Sequence, residues 1–573
     1  MYIESVPNRN SPPAILLRES YWSNGKVCKR TLANLSSLPA DAIEALRKSI
    51  RGVKLTEASK DVSVEKTMPC GHINAIRKAM ERLGMSRLLS SRPCMQRDII
   101  LAVIAQRLVE PATKLGTVRM FENTTVREDF GLGPNVNEDS IYEAMDWLLA
   151  RQPHIERKLA SRHLKDGGMA FYDLSCSSYH GSTCPLAKRG HNRDGLKLPA
   201  VEYGLLTDSD GRPVAVQVYE GNTSDPKTVP DQVKKLRDSF GIDKLVLVGD
   251  RGMLTGAQIE DLAKTGDYSW ISCLRSTDIR KLIASRDPSD TPLFSKTNIA
   301  QISHPDFPGE RLIACHNPFL AEDRRRTREE LLAATEKHLD KVRRECERRT
   351  RTPIPDAQVG EKVGRVINLH NMAKHFTWVV KDGRLSFSRN VQSIEEEQRL
   401  DGIYVIRTNV PSGNLSDADV VRAYKMLGNV EKAFRTFKGV DIHIRPIHHR
   451  LEDRVRAHIF LCMLTYYVEW HMRRALSPLM YSEDDLQTAR QLRDPVAKAQ
   501  PSPETKRKKR TKKSTGGLSL NTWRGLISTL GTISRVNLRI SGNSINIVQE
   551  TKPNNTQSEV FRLLDEKSSI WPN

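Results

Sequence analysis

The sequence predicts a multidomain α/β protein built around a mixed sheet. Three observations carry that reading: 573 residues exceed what one hydrophobic core usually organises, the middle of the chain alternates strand-like and helix-like periodicity, and two of its apolar strands end in aspartate. The chain holds 90 Lys and Arg against 69 Asp and Glu, a formal charge of +21 spread along its length, which suits a polyanionic partner, nucleic acid before membrane. The opening MYIESVPNRN lacks a basic-then-apolar leader pattern, and the longest apolar run, around Ile459 to Val468, is too short to span a bilayer. A cytoplasmic location is the expectation. Nine cysteines without a paired CxxC framework point to free thiols, and Cys70 with His72 in PCGH reads as structural, not as a metal site.

Residues 1–60 read as a small module: strand AILLRESYW, a turn at Asn24-Gly25, strand KVCKRTLANL, and a helix from about Asp41 to Ile50. Residues 61–165 turn helical, with DIILAVIAQRLVEPATKLGTVRMFE and SIYEAMDWLLARQPHIERKLASRHL separated by a Gly/Pro/Asn break. This region suits either a helix-turn-helix type DNA-binding unit or a helical packing domain.

Over 166–275 the period changes. GGMAFYDLSC is a buried strand, AVEYGLLTDSDGRPVAVQVYEG a hairpin about Asp210-Gly211, and SDPKTVPDQVKKLRDSFG a helix with Asp225 as N-cap; DKLVLVGDRG, TGAQIEDLAKTG and DYSWISCLR add strand, helix and strand. Asp173 and Asp250 stand where such a sheet places its chemistry, although a turn or a cap explains either one alone equally well. Residues 276–410 read as an insertion, with a long charged helix AEDRRRTREELLAATEKHLDKVRREC and strands KVGRVINLH, HFTWVVKDGRLSFSR and DGIYVIRTN. The core resumes over 411–480 with the helix around YKMLGNVEKAFRTFKG, a strand-like VDIHIRPI and the helix EDRVRAHIFLCMLTYYVEWHMRRAL. Residues 481–573 comprise the basic low-complexity linker ETKRKKRTKKSTGG and a C-terminal segment.

Glu431 poses a specific problem. Tyr424, Glu431 and Lys438 are seven apart, with Leu427 and Phe434 between them, so one side of a helix carries all three and is expected to pack. Ser416 followed by Asp419 and the later Gly439 supply its start and stop. A buried carboxylate needs a cation, and the plain alternative is an exposed Glu431 paired with Arg435 at i+4. Three carboxylates, Asp173, Asp250 and Glu431, converging from two strands and a helix suit a site for two Mg²⁺ ions acting on a phosphodiester.

In FYDLSCSSYHG, LVGDRGML and YKMLGNVEKAFRTFKG the sequence resembles bacterial insertion-sequence transposases of the DDE, RNase H-like superfamily. It is closest in pattern to the branch with a strand-rich insertion before the glutamate and a Tyr-Arg-Glu-Lys signature on one helix. YEGNTSDPKT and RPIHHRLEDRVRAHIFLC extend the likeness. Tyr424, Glu431 and Lys438 match that signature, which implies Tyr424 and Lys438 as DNA phosphate contacts, whereas its Arg position is Leu427, so that phosphate contact is missing or comes from Lys425 or Arg435. The resemblance implies an RNase H-like core with a helical N-terminal DNA-binding region, and Asp173, Asp250 and Glu431 as catalytic metal ligands for two Mg²⁺ (or Mn²⁺) ions. It implies DNA end cleavage and joining to target DNA, with terminal inverted repeats as partners and a homodimer in the DNA complex, nucleoid-associated when bound. Trp378, on an inserted strand, would stack on an unpaired base near the cleaved end or simply pack in a core. A metal-dependent nuclease or resolvase, and a non-catalytic DNA-binding descendant, are the other readings.

Overall fold

The computed structural model describes residues 1–9, 11–53, 62–190, 192–264, 268–284, 294, 298–491, 494–497, 499–540, 546–567 and 570–572. They form two compact units, Cys70–Thr532 with Pro553–Asn573, and Met1–Pro69 with Ile533–Lys552. The expected module boundary at residues 60 and 61 lies outside the described residues.

The larger unit holds an eight-stranded mixed sheet: β1 (Met169–Ser178), β2 (Ala200–Thr207), β3 (Pro213–Glu220), β4 (Leu245–Val248), β5 (Tyr268–Cys273), β6 (Ile299–Ile302), β7 (Arg311–His316) and β8 (Ile403–Thr408). Their spatial order is β6-β7-β8-β5-β4-β1-β2-β3. The hairpin strands β1, β2 and β3 run antiparallel, β4 and β5 run parallel to β1, and β8, β7 and β6 continue the sheet antiparallel. Gly211, at φ +83°, makes the expected β2–β3 turn. The central strands read as unbroken apolar runs (LVLV in β4) because helices cover both faces. One cover is the helix Glu452–Ala475, buried almost all round from Ile459 to Val468.

The helical block over residues 71–163 joins this sheet in one hydrophobic core. Its helix Met95–Val109 is buried on every side from Ile99 to Leu108, so packing is its visible role. His72 is part of the same packing. Its Nδ1 accepts from the Ile73 amide at 2.9 Å, and burial pushes the imidazole down to about 4.

Three expectations about the later chain are corrected. The inserted region is less strand-rich than its sequence suggests: KVGRVINLH belongs to the helix Asp356–Leu369, because Val359, Val363 and Ile367 recur every four residues and bury against the helix Pro318–Arg348. DGIYVIRTN is β8, inserted between β5 and β7 in the main sheet. What protrudes between β7 and β8 is a helical pair with the hairpin Phe376–Lys381 and Arg384–Arg389, turned by Asp382 (φ +51°) and Gly383 (φ +71°). VDIHIRPI is an irregular loop that meets the end of β1 through a bridge from Ile447 to Tyr179. The basic linker is not a linker: Pro503–Thr511 is a helix capped by Ser502, and Lys508 is buried, donating to the Ser477 carbonyl at 3.0 Å and Asp484 at 2.6 Å.

In the smaller unit Tyr2–Val6, Ala14–Ser23 and Lys26–Asn34 form an antiparallel sheet turned by Asn24 (φ +48°) and Gly25 (φ +72°), followed by the helix Ala40–Ile50. Its second sheet joins chain ends: Val62–Pro69 pairs with Ser534–Ile540, which pairs with Asn546–Glu550.

Candidate active site

Asp173 and Asp250 are brought side by side by strand register. β1 and β4 are parallel neighbours about 4.8 Å apart with Phe171 opposite Val248, so two residues further on Asp173, within β1, and Asp250, in the turn after β4, come near one another. Asp250 has left its strand and closes the following turn, its Oδ1 accepting from the Gly252 and Met253 amides at 2.9 Å each. Asp173 faces the helix that carries Glu431, because it pairs with Leu205 on the same side of the sheet as Ser175 with Tyr203, and the Tyr203 ring lies 5.8 Å from Phe434. Burial first, then the Asp250 carboxylate, raise the Asp173 carboxyl to about 7, with Glu431 adding to the rise and the Leu174 amide and Arg193 opposing it.

That shift has a sign. Between its ordinary value near 4 and about 7, Asp173 keeps a proton when folded that the unfolded chain has released, so it lowers stability as pH rises through that window. In EDTA, Asp173→Asn is expected to melt several degrees above the unsubstituted protein at pH 8 and level with it at pH 4. Thermal melts at the two pH values check this, and an equal or lower midpoint at pH 8 contradicts it.

The glutamate helix, Asp417–Lys438, begins as expected with Ser416 Oγ accepting from the Asp419 amide at 3.2 Å, and Gly439 ends it. Its buried stripe is Val420, Ala423, Leu427, Val430, Phe434 and Phe437, a spacing of three and four. Glu431 is therefore beside the packed stripe and not on it. Its side chain is 63% exposed with Arg435 at 3.6 Å, so of the two readings of Glu431 the structure has the exposed carboxylate paired at i+4 and not the buried one. Tyr424, Glu431 and Lys438 share the flank of the helix. At one end burial raises the half-buried Tyr424 phenol well above its ordinary range, with the neighbouring Cys273 and Asp250 contributing. At the other, Lys438 Nζ meets buried Asp194 at 3.0 Å, alongside Arg445 at 2.6 Å.

Other site residues fall differently. Lys425 donates to the Val496 and Ala497 carbonyls at 2.6 and 3.3 Å, so it holds the C-terminal chain where a phosphate contact was expected. Arg435 is exposed on the Glu431 flank. Trp378 is 39% exposed on the inserted hairpin, its ring 3.9 Å from where a Cβ on Gly360 would stand. Leu427 is core. Leu427→Arg, restoring the signature residue, would bury a guanidinium, and is expected to cost several kcal/mol. A melt of that variant at or above the wild-type midpoint would contradict the placement.

The sequence reasoning missed Arg193, Asp194 and Glu202. Arg193 grips Asp225 at 2.6 and 2.8 Å and lies 4.0 Å from Glu202, which is buried, has an unpartnered Oε2, and is raised to about 7, chiefly by burial. Asp225 does not cap a helix: a 3₁₀ turn, Asp225–Thr228, precedes the helix, and the carboxylate turns to Arg193. A Cβ on Gly252 would stand 3.4 Å from Asp250 Oδ1 and 3.8 Å from Asp225 Oδ2, so a second carboxylate flanks Asp250 there. The loop motif RGHNRDG, rich in chemistry between two strands, was the available signal.

Among the described residues no three His, Cys, Asp or Glu side chains are gathered closely enough to hold a metal ion. The pair Asp173 and Asp250 nevertheless fits a divalent cation: both are hard oxygen donors, adjacent, and mutually repelling in a way a cation relieves. Glu431 is a long, solvent-exposed carboxylate within electrostatic range of Asp173.

A large mixed sheet whose first five strands lie in the order 3-2-1-4-5, with paired aspartates on neighbouring strands, is consistent with an RNase H-like transposase core. The chain belongs to the transposase DDE domain family, whose model matches residues 175–468, a stretch that holds Asp250 and Glu431 and starts just after Asp173. Residues 3–61 match the N-terminal domain of IS1634 family transposases, and the two matches together indicate an insertion-sequence DDE transposase. No curated protein matches the chain. Among the described residues no helix is long and apolar enough to cross a membrane.

Proposed function

We propose that this transposase cleaves the ends of its insertion sequence and joins them to target DNA by metal-assisted phosphoryl transfer at Asp173, Asp250 and Glu431. The observation that supports the reading is the register that brings Asp173 near Asp250, with Glu431 close enough to add to the rise in the Asp173 carboxyl. When bound there, two Mg²⁺ or Mn²⁺ ions supply the positive charge that in-line phosphoryl transfer needs. Asp173 and Asp250 hold the ions. Glu431 exchanges a solvent-screened contact with Arg435, worth little in water, for the site. Arg435, freed by that swing, meets the phosphate in place of the signature arginine that Leu427 replaces. Lys438, bound to Asp194, fixes the helix end and so keeps the flank at the sheet. Tyr424 does the same behind Asp250.

Two ends joined at nearby target positions need two sites, so the active complex contains two copies and two inverted-repeat ends. The +21 charge favours assembly on DNA in the cytoplasm, at the nucleoid. The test is a joining assay with the full chain, Mg²⁺, duplexes carrying the terminal repeats that flank its reading frame, and a supercoiled target. Joined product from matched repeats and none from scrambled ones supports the reading. Nicking without repeat preference makes the protein a nuclease instead.

A further inference from the structure

Away from the carboxylates, the larger unit has an open cavity of about 870 Å³ between the middle of the helical block, Arg107–Lys114 and Tyr142, and the loop that follows the glutamate helix. Arg107, Lys114, His449, Arg450, Arg454 and His458 line it, and among the described residues no Asp or Glu does. Lys114 is almost fully buried, with its Nζ 3.2 Å from His449 Nε2 and 3.2 Å from His458 Nδ1. The tautomers follow. His458 Nε2 lies 3.0 Å from the Ile444 carbonyl, so it carries the proton and Nδ1 accepts from the lysine. Two of the three ammonium protons thus end on imidazoles, and the third has no partner among the described residues. Arg107, also buried, donates from Nη2 to the His443 carbonyl at 2.8 Å, while its Nε is unpartnered. Burial and the neighbouring Arg107 bring Lys114 down to about 7, and burial with Lys114 brings His449 to about 3. Such crowding of like charge suits an anion.

We infer that this cavity binds a phosphate group, that of the DNA backbone a few nucleotides from the cleaved bond. The chain path supports that source. Arg445, also lining the cavity, shares Asp194 with Lys438, the last residue of the glutamate helix. The rings of His448 and His180 lie 5.7 Å apart, and His180 follows β1, whose Asp173 is five residues, roughly 17 Å, back from the strand end at Ser178. A DNA strand seated at Asp173 therefore reaches the cavity within a few nucleotides. The DNA source rests on the function proposed above; the phosphate site does not.

The test uses the full chain and two variants, Lys114→Met in the buried cluster and Arg450→Gln on the exposed rim, each checked by thermal melting. Calorimetric titration with inorganic phosphate, at ionic strength matched with chloride, is expected to show saturable binding that both variants weaken about tenfold or more. Duplex DNA titrations across salt are expected to give a slope of log affinity against log salt that is smaller by about one in each variant, whatever the sequence. Where Lys114→Met fails to fold, Arg450→Gln decides. No phosphate binding, or binding untouched by the variants, overturns the site. Phosphate binding with an unchanged DNA slope overturns the DNA assignment and leaves a site for free phosphate. The same slopes measured on Asp173→Ala separate this inference from the catalytic reading, because they are expected to persist even if no cleavage is ever observed.

Discussion

Asp173→Ala is expected to lower single-turnover cleavage of an end-carrying duplex by roughly 10²–10³-fold or more, while DNA affinity stays within about twofold. The carboxylate is half-buried and, among the described residues, its hydrogen bond is from the Leu174 amide to Oδ1. Its removal takes away a cation ligand but no contact that a phosphate could use. Losing a negative charge also favours DNA binding slightly, so weaker binding cannot explain lost cleavage. A variant that cuts at the wild-type rate removes Asp173 from the site, and one that binds DNA tenfold less well shows the residue to be a scaffold for the DNA surface.

Glu431→Gln is expected to cost activity on a similar scale with no change in the melting midpoint. A group 63% exposed and, among the described residues, paired with Arg435 at 3.6 Å contributes little to folding, so its replacement is a surface substitution within about 0.5 kcal/mol. The glutamine keeps the shape and loses the charge that a cation requires. Cleavage and melting measured on one preparation separate the outcomes: retained activity would leave Asp173 and Asp250 as the site without the helix, and a lowered midpoint would show Glu431 to be structural.

Much of the sheet was legible because its signals are local. The hairpin turn at Gly211 and the apolar run of β4 are each written within ten residues, whereas Asp173 does not end its strand as the sequence suggests: β1 runs on through Ser178, and Asp250 stands two residues past β4. The glutamate helix was legible to its caps, yet Glu431 was placed on the wrong side of the packed stripe. Sevenfold spacing groups Tyr424, Glu431 and Lys438 correctly, but only the tertiary contacts of Phe434 with Tyr203 and of Phe437 with Tyr466 show which neighbouring strip is buried. KVGRVINLH was read as a strand because Val and Ile favour strands; its burial against the Pro318–Arg348 helix overrides that preference. ETKRKKRTKKSTGG has the composition of a solvated tail, and a single buried ion pair, Lys508 with Asp484, docks it. The pairings of Arg193 with Asp225 and Lys438 with Asp194 join residues far apart in sequence, so RGHNRDG marks the loop but not its partners.

The most direct test of the account places Fe²⁺ in the divalent site of the full chain bound to end DNA and maps oxidative scission of the protein backbone with ascorbate and peroxide. The account predicts cuts near Asp173, Asp250 and Glu431, suppressed by excess Mg²⁺ and lost in Asp250→Ala. Cuts confined to other segments, or cuts at these three that persist unchanged in Asp250→Ala, would contradict it.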